Sequence, residues 1–156
     1  MVDQKKITKV KEKAEEFYKA LDNVYCPYLG EKVNFNAKGL DHIKFKTWNR
    51  TRVRDDQYMR LKLIHLAPEA IKKSNTIQGY SETKEFERKK INSRWEKVLT
   101  PVSYYEFVAI LEGIRVRVIV RNVEGGQKHF WSIIPFWKMN KENGKRLLHY
   151  GKPSED

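Results

Sequence analysis

The sequence predicts an α+β fold, in which helices cover one face of an antiparallel sheet of about four strands. Residues 102–136 alternate apolar and polar side chains in three runs, which are separated by Glu112-Gly113 and by Gly125-Gly126. Such pairs are typical of two-residue hairpin turns. Apolar residues at helical spacing precede residue 75, so the helices are expected to come before the sheet.

The side chains of these strands sort onto two faces, because successive residues of a strand point to opposite sides. One face is nearly apolar and is expected to receive the helices: Tyr105, Phe107, Ala109, Leu111, Ile114, Val116, Val118, Val120, Trp131 and Ile133. The other carries Tyr104, Glu106, Val108, Ile110, Arg115, Arg117, Arg121, Phe130, Ser132 and Ile134. Folding does not require arginines there, so this second face is predicted to be basic, open and functional.

The N-terminal residues 4–21 form an amphipathic helix in this prediction. Its apolar positions follow one another in steps of three and four: Ile7, Val10, Ala14, Phe17 and Leu21. Proline and glycine in residues 25–30 end this segment, and residues 31–38 are expected to be a short strand or an extended segment.

A second, short helix is predicted to open at Gly39 and Asp41, in the stretch GLDHIKFKTW. His42 then lies in its first turn, where the helix dipole disfavours a protonated imidazole and favours a bound anion. The following stretch, KTWNRTRVR, places Lys46, Arg50 and Arg52 around Trp48. Basic residues around an aromatic ring are typical of a surface that binds a nucleic-acid backbone and a stacked base. A solvated basic connector fits the same pattern, and both interpretations stay open.

The pair Asp55-Asp56 is expected to begin a third helix, which runs to Ile71 with a kink or a restart at residues 66–69. Residues 75–88 are interpreted as a loop or flap, and an edge strand is expected after them. The chain is predicted to be one domain, with a helix and connector at 1–30, an α+β region at 31–137 and a loose polar tail at 138–156.

The charge balance favours a polyanionic partner. The 156 residues include 32 Lys and Arg against 20 Asp and Glu, a formal net charge of +12. Nucleic acid is the first expectation, an anionic membrane surface the second, and a merely soluble basic protein the plain alternative. The chain has no apolar run long enough to span a membrane and no apolar signal core, and it has the single Cys26. These features favour a cytoplasmic protein that does not act on membranes.

The sequence contains no GxxxxGK[ST], GxGxxG or HExxH motif and no Cys/His cluster, so neither a cofactor nor a metal ion is expected. Acid–base chemistry without a metal fits better. RNA cleavage of this kind needs a base for the 2′-hydroxyl, cations for the phosphate and an acid for the leaving oxygen. The basic face together with His42 offers each of these residue types.

The order of elements resembles the barnase–EndoU–colicin–RelE superfamily of small ribonucleases, and within it phage-derived and polymorphic-toxin nuclease domains. Two helical segments, the first containing GLDHIKFK, precede an antiparallel sheet that ends in FWSIIP. The resemblance covers roughly residues 31–137 and implies a metal-independent ribonuclease with its site on the sheet face away from the helices. It also implies that His42 takes part in catalysis, that Lys46, Arg50 and Arg52 lie near the substrate, and that Ser132 is the small hydroxyl residue of the last strand.

The favoured interpretation is a toxin-like or regulatory endoribonuclease. Its expected catalytic residues are His42 as acid or base, Arg117 and Arg121 as phosphate clamps, Ser132 for orienting a phosphate oxygen, and Glu106 as a reserve base. Its expected substrate-binding residues are Lys46, Trp48, Arg50, Arg52, Tyr104 and Arg115. A toxin of this kind would need an inhibitor protein with an acidic surface. The alternatives are a non-catalytic RNA- or DNA-binding module and a phage or mobile-element protein-interaction domain.

Overall fold

The structure, a computed structural model, describes residues 3–47, 50–52 and 54–135 together with Ser154 and Asp156. The fold is α+β, as predicted. Its elements are α1 (Gln4–Lys19), β1 (Val24–Cys26), β2 (Glu31–Val33), α2 (Ala37–Lys44), β3 (Phe45–Thr47), β4 (Arg50–Thr51), α3 (Arg54–Leu63), a 3-10 turn (Ile64–Leu66), α4 (Ala67–Lys72), β5 (Gly79–Ile91), β6 (Arg94–Leu111), β7 (Ile114–Val123) and β8 (His129–Pro135).

The main sheet is antiparallel, with the strand order β5-β6-β7-β8, and the pairs β1-β2 and β3-β4 form separate small hairpins. The prediction of a loop at residues 75–88 was wrong, because β5 begins at Gly79. Its partner β6 begins at Arg94, and the two strands meet at a turn in which Asn92 and Ser93 have φ values of 49° and 65°. One face of the outer part of this hairpin is exposed, and the other meets the body of the protein through the charged residues Glu85 and Glu87, so the segment lacks the apolar alternation that marks a half-buried strand.

The register agrees with the prediction at the first hairpin and departs from it at the second. Glu112 and Gly113, at φ 52° and 72°, form the expected two-residue turn. The second connection covers residues 124–128, and a bulge follows Ile119, which pairs with Ser132 while Val120 pairs with Phe130. The extra residue reverses the two rings. Phe130 therefore lies in the helix-covered core, and Trp131 contacts Arg121 on the other face, the opposite of the prediction.

The main core lies between the sheet and helices α1, α2 and α4. Its sheet side is fully buried and includes Phe107, Val116, Val118, Val120, Phe130 and Ile133. Helix α2 comes closest to the sheet at Gly39, where an added Cβ would lie 2.3 Å from the carbonyl oxygen of Phe130. This close approach fixes the position of α2, and with it the position of His42, against β8.

Helix α2 begins earlier than predicted. Asn36 caps it, and the Asn36 side chain accepts a hydrogen bond from the Gly39 backbone N–H at 3.2 Å. The helix ends at Lys44, where the chain turns into β3. His42 is consequently in the last turn and not the first, so the helix dipole favours a protonated ring there. Any tendency of His42 to stay neutral must come from its surroundings.

The second face of the sheet is not open as expected. Val102, Tyr104, Ile119 and Ile134 form a second, smaller apolar cluster on it, and each is at most 2% exposed. Of the predicted polar tail at 138–156, all but Ser154 and Asp156 lies outside the described residues, and Asp156 is fully buried. None of the helices in the described ranges is long and apolar enough to cross a membrane.

Candidate functional site: a buried arginine cluster

Three charged side chains meet beside β8 and are almost completely buried. Arg52 lies just before α3, and Asp56 and Arg60 lie within it; the three side chains are spaced four residues apart and are 0%, 1% and 0% exposed. Arg60 Nε donates to Asp56 Oδ1 at 2.6 Å, and Arg52 Nη1 lies 3.6 Å from Asp56 Oδ2. We call these three residues, together with His42 and Ser132, the arginine cluster.

Arg52 connects the cluster to the end of α2. Its backbone N–H donates to the Lys44 carbonyl at 3.0 Å, and its Nε donates to the His42 carbonyl at 2.8 Å. Its Nη2 lies 2.9 Å from His42 Nε2. Since a guanidinium can only donate, His42 Nε2 accepts this bond and the ring proton is assigned to Nδ1.

Three donors of the cluster converge on one oxygen atom. The main-chain oxygen of Asp156 accepts hydrogen bonds from Ser132 Oγ at 2.7 Å, from Arg52 Nη2 at 3.3 Å and from Arg60 Nη1. Arg60 Nη1 also donates to Ser132 Oγ at 2.7 Å, which holds the hydroxyl in place. The cluster is thus a ready-made binding site for an oxygen atom.

The charges of the cluster explain why such an oxygen is held. Two guanidinium groups face the single carboxylate of Asp56, so the cluster without its oxygen ligand has an excess of positive charge in a buried position. A buried charge is costly unless it is paired and hydrogen-bonded. An anionic oxygen is therefore the ligand that this arrangement stabilises best.

His42 is neutral in this setting. Burial lowers its pKa well below the ordinary value, and the positive charges of Arg52, Arg60 and Arg121 lower it further. Burial and these cations therefore outweigh the helix dipole. The imidazole also stacks on the Trp131 ring, with the ring centroids 4.0 Å apart and the planes at 16°. The cluster thus includes a neutral imidazole, and Arg52 Nη2 links its Nε2 to the oxygen site.

Arg121 lies next to the cluster and is engaged elsewhere. It is 4% exposed, its Nη2 donates to Glu85 at 3.0 Å and also to Glu87, and its Nε donates to the Tyr104 hydroxyl at 3.2 Å. Its guanidinium carbon lies 4.8 Å from the centre of the Trp131 ring. The expectation that Arg121 clamps a phosphate and that Tyr104 binds substrate is therefore not what this geometry favours. Both residues tie β5 to β6 and β7.

The other predicted site residues lie apart from the cluster. Glu106 and Arg117 form an ion pair with each other at 3.6 Å, and Arg115 is exposed near the first hairpin turn. Trp48 lies outside the described residues, as do the side chains of Lys46 and Arg50, whose backbones belong to β3 and β4. Of the predicted set, the structure joins His42, Arg52 and Ser132.

The sequence reasoning missed Asp56, Arg60 and Trp131. Asp56 was explained as a helix start, although its four-residue spacing to Arg60 is the spacing at which side chains meet along a helix. That spacing is the signal that was available. Trp131 was assigned to the wrong face because of the bulge, which has no comparable signal in the sequence.

A polar groove lies beside the cluster, between α1 and the start of α3. Its volume is about 370 Å³, and Arg52 forms part of its wall together with Thr8, Lys11, Thr51, Arg54 and Gln57. Within the described ranges, no group of three or more His, Cys, Asp or Glu residues is placed to hold a metal ion.

No protein-family model, curated protein or solved structure matches the chain. Its function has to be argued from the geometry of the cluster.

Proposed function

We propose that this protein binds RNA and cleaves it without a metal ion, as the resemblance to small ribonucleases implies. The observation that carries the proposal is the convergence of Arg52, Arg60 and Ser132 on one oxygen beside the neutral His42. The net charge of +12 supports a polyanionic partner.

A phosphodiester oxygen fits this site better than a neutral carbonyl does. Guanidinium groups form charge-assisted hydrogen bonds with phosphate, and such bonds are stronger inside a protein than in water. Negative charge also increases on the phosphate oxygens as a pentacovalent transition state forms, so fixed donors at that position stabilise the transition state. Arg60 and Ser132 would make these contacts, and Arg52 Nη2 would move from His42 Nε2 to the phosphate oxygen.

In the proposed reaction, Arg52 Nη2 leaves His42 Nε2, and the freed Nε2 takes the proton of the ribose 2′-hydroxyl. A bond forms between O2′ and phosphorus, and the bond from phosphorus to O5′ breaks. The leaving O5′ takes a proton from solvent, and His42 later returns its proton to solvent. The products are a 2′,3′-cyclic phosphate and a 5′-hydroxyl end, and no electrons are exchanged with another reactant.

The proposal also includes the cytoplasm as the place where the protein acts and an inhibitor protein as its regulator. The single Cys26 is buried with its thiol pKa raised by burial, so it stays a protonated packing residue at neutral pH. One free cysteine suits the reducing cytoplasm. A toxin-like activity there would require an acidic inhibitor protein.

The test is incubation of labelled total RNA with purified protein in excess EDTA. The variants are His42→Ala, Arg60→Gln and, as a control, Lys62→Gln, which removes an exposed cation two residues from Arg60 on the same helix. Cleavage by the wild type and by Lys62→Gln, with cyclic phosphate ends and with at least about a 100-fold loss in the other two variants, is the expected result. Equal cleavage by all four proteins would show that the cluster is not the active site.

A second candidate is a non-catalytic RNA-binding module, and the burial of the cluster favours it. His42 is 4% exposed and Ser132 is fully buried, and a substrate oxygen would have to displace the Asp156 oxygen from Ser132. If the protein only binds RNA, neither the wild type nor any of the three variants would cleave RNA in EDTA. His42→Ala would then bind RNA as tightly as the wild type. Binding by every variant would still weaken with increasing salt.

A further inference from the structure

The outer part of the β5-β6 hairpin has one face whose composition sets it apart from the rest of the surface. The cross-strand pairs of residues 84–101 place eight side chains on it: Lys84, Phe86, Arg88, Lys90, Trp95, Lys97, Leu99 and Pro101. All eight are exposed, and they include four cations and no acidic residue. We call this set the basic–aromatic face.

The apolar side chains of this face have no structural task within the described chain. Phe86, Trp95 and Leu99 are 70%, 63% and 51% exposed. Soluble proteins rarely keep several large apolar side chains together in water, and such patches mark interaction sites. Folding of the hairpin therefore does not explain this face.

The residues are arranged in rows across the two strands. Phe86 pairs with Leu99, the cations Arg88 and Lys97 pair in the next row, and Lys90 pairs with Trp95 nearest the turn. Phe86 and Trp95 are thus separated by two rows on each strand, which corresponds to about 13 Å along the hairpin. The Arg88 guanidinium lies 5.6 Å from the centre of the Trp95 ring. The face thus presents two aromatic rings, Phe86 and Trp95, with the cations Arg88 and Lys97 in the row between them.

We propose that the basic–aromatic face binds single-stranded RNA, with bases stacked on Phe86 and Trp95 and with the intervening phosphates on Arg88, Lys90 and Lys97. Stacking on exposed rings needs unpaired bases, since paired bases already stack within a duplex. The inference rests on the proposed function in taking RNA as the polymer, and it adds a second surface outside the arginine cluster.

The charges decide between RNA and a second copy of the chain as the occupant. Two copies joined through this face would bring four cations against four cations, and no carboxylate of the face would offset them. A polyanion gains from the same charges.

The hairpin is held to the body of the protein through its opposite face. There Glu85 and Glu87 bind Arg121, and Glu87 also lies 3.7 Å from Lys38. Burial alone would raise the pKa of Glu87, but the hydrogen bond and charge of Arg121 lower it, so the carboxylate stays ionised. RNA that touches both the basic–aromatic face and the arginine cluster has to pass around an edge of the hairpin.

The test measures binding of a labelled single-stranded RNA of 2′-O-methyl nucleotides, which lack the 2′-hydroxyl and are not cleaved by the proposed reaction. We expect Phe86→Ala combined with Trp95→Ala to weaken binding at least about tenfold, because each stacked base contributes appreciably. Tyr25→Ala, a loss of an aromatic ring that is 53% exposed elsewhere, is the control and should bind like the wild type. All substituted residues are exposed, so the fold should survive.

A charge-matched pair of variants separates a local effect from an effect of net charge. Replacing Arg88, Lys90 and Lys97 by Gln should lower the dependence of log affinity on log salt concentration by about 2. Replacing Lys5, Lys9 and Lys13 of α1 by Gln removes the same charge. This replacement should change the salt dependence of the affinity much less. Equal losses in both triple variants would overturn the inference, as would full binding by the aromatic double variant.

The outcomes distinguish this inference from the proposed function. Cleavage of ordinary RNA by the wild type, with unchanged binding in the hairpin variants, would reject the basic–aromatic face alone. Binding that depends on the hairpin, with no cleavage in EDTA, would reject the nuclease alone. If the hairpin variants differ from the wild type in molecular mass in sedimentation but not in RNA binding, the basic–aromatic face is a self-association surface instead.

Discussion

His42 and His129 are both buried beside cations, and both are kept neutral for that reason. His129 is 4% exposed, and no described residue forms a hydrogen bond with its Nε2. Burial, and then the charge of Arg121, lowers the pKa of His129 to about 4. Lys38 lowers it further and Glu87 acts in the other direction. Protonating such a ring inside the protein costs free energy that the unfolded chain does not pay.

The stability of the protein should therefore fall as the pH is lowered. A folded-state pKa of His129 below the unfolded value of 6.5 contributes stability that is complete above pH 6.5. That contribution, about 3 kcal/mol, is lost as the pH falls to about 4. The His129→Leu variant lacks it, so its free energy of unfolding should fall by about 3 kcal/mol less between pH 7 and pH 4. Urea unfolding at both pH values measures this, and parallel losses would show that His129 is not held neutral.

At the scale of elements, the seat of α2 on β8 sets the geometry of the arginine cluster. Gly39 allows the contact, and the neighbouring Tyr18 hydroxyl donates to the Asn36 carbonyl at 2.5 Å where α2 begins. The carbonyl of Phe130 opposite Gly39 belongs to a paired strand and cannot move aside easily. His42 stands one turn further along α2, so a displacement of the helix would carry it away from Arg52 and Trp131.

Gly39→Ala should therefore reduce both stability and anion binding. We expect a loss of about 1–3 kcal/mol in the free energy of unfolding, since the methyl group must push the helix from the sheet. Phosphate binding, followed by the rise in melting temperature that phosphate causes, should weaken in the folded variant. Gly39 does not have a positive φ value, so strain in the helix itself would not account for such a loss. If the variant is as stable as the wild type, α2 and β8 can move apart with little loss of free energy.

The two hairpins of the sheet show what the sequence could and could not predict. Alternation and the Glu112-Gly113 turn were enough to place Val116, Val118 and Val120 on the helix-covered face together with Phe107. The bulge beyond Ile119 depends on a five-residue connection and on the contact of Phe130 with α2, which are tertiary features. The arginine cluster could be predicted only in part, because it too depends on tertiary features. His42, Arg52 and Ser132 have suitable chemistry, and the sequence spacing relates Arg60 to Asp56, but only the packing of α3 against β8 shows that Arg60 reaches Ser132.

At the scale of the whole molecule, the oxygen site is filled by a residue distant in sequence. The Asp156 oxygen contacts Arg60 and Ser132, which are 96 and 24 residues away. A bound phosphate would need the same donors, so the two ligands exclude each other. Asp156 therefore stabilises the cluster while it blocks the proposed substrate position.

Phosphate binding should consequently depend on Asp156. A chain that ends at Pro153 should bind inorganic phosphate more tightly than the full chain, because no internal oxygen competes for Arg52, Arg60 and Ser132. Without phosphate the shortened chain should be less stable, since two buried guanidinium groups lose an acceptor, and added phosphate should restore the loss. Calorimetric titration and thermal unfolding measure the two effects. Equal phosphate affinity in the shortened and full chains would place phosphate elsewhere and leave the cluster as a structural contact.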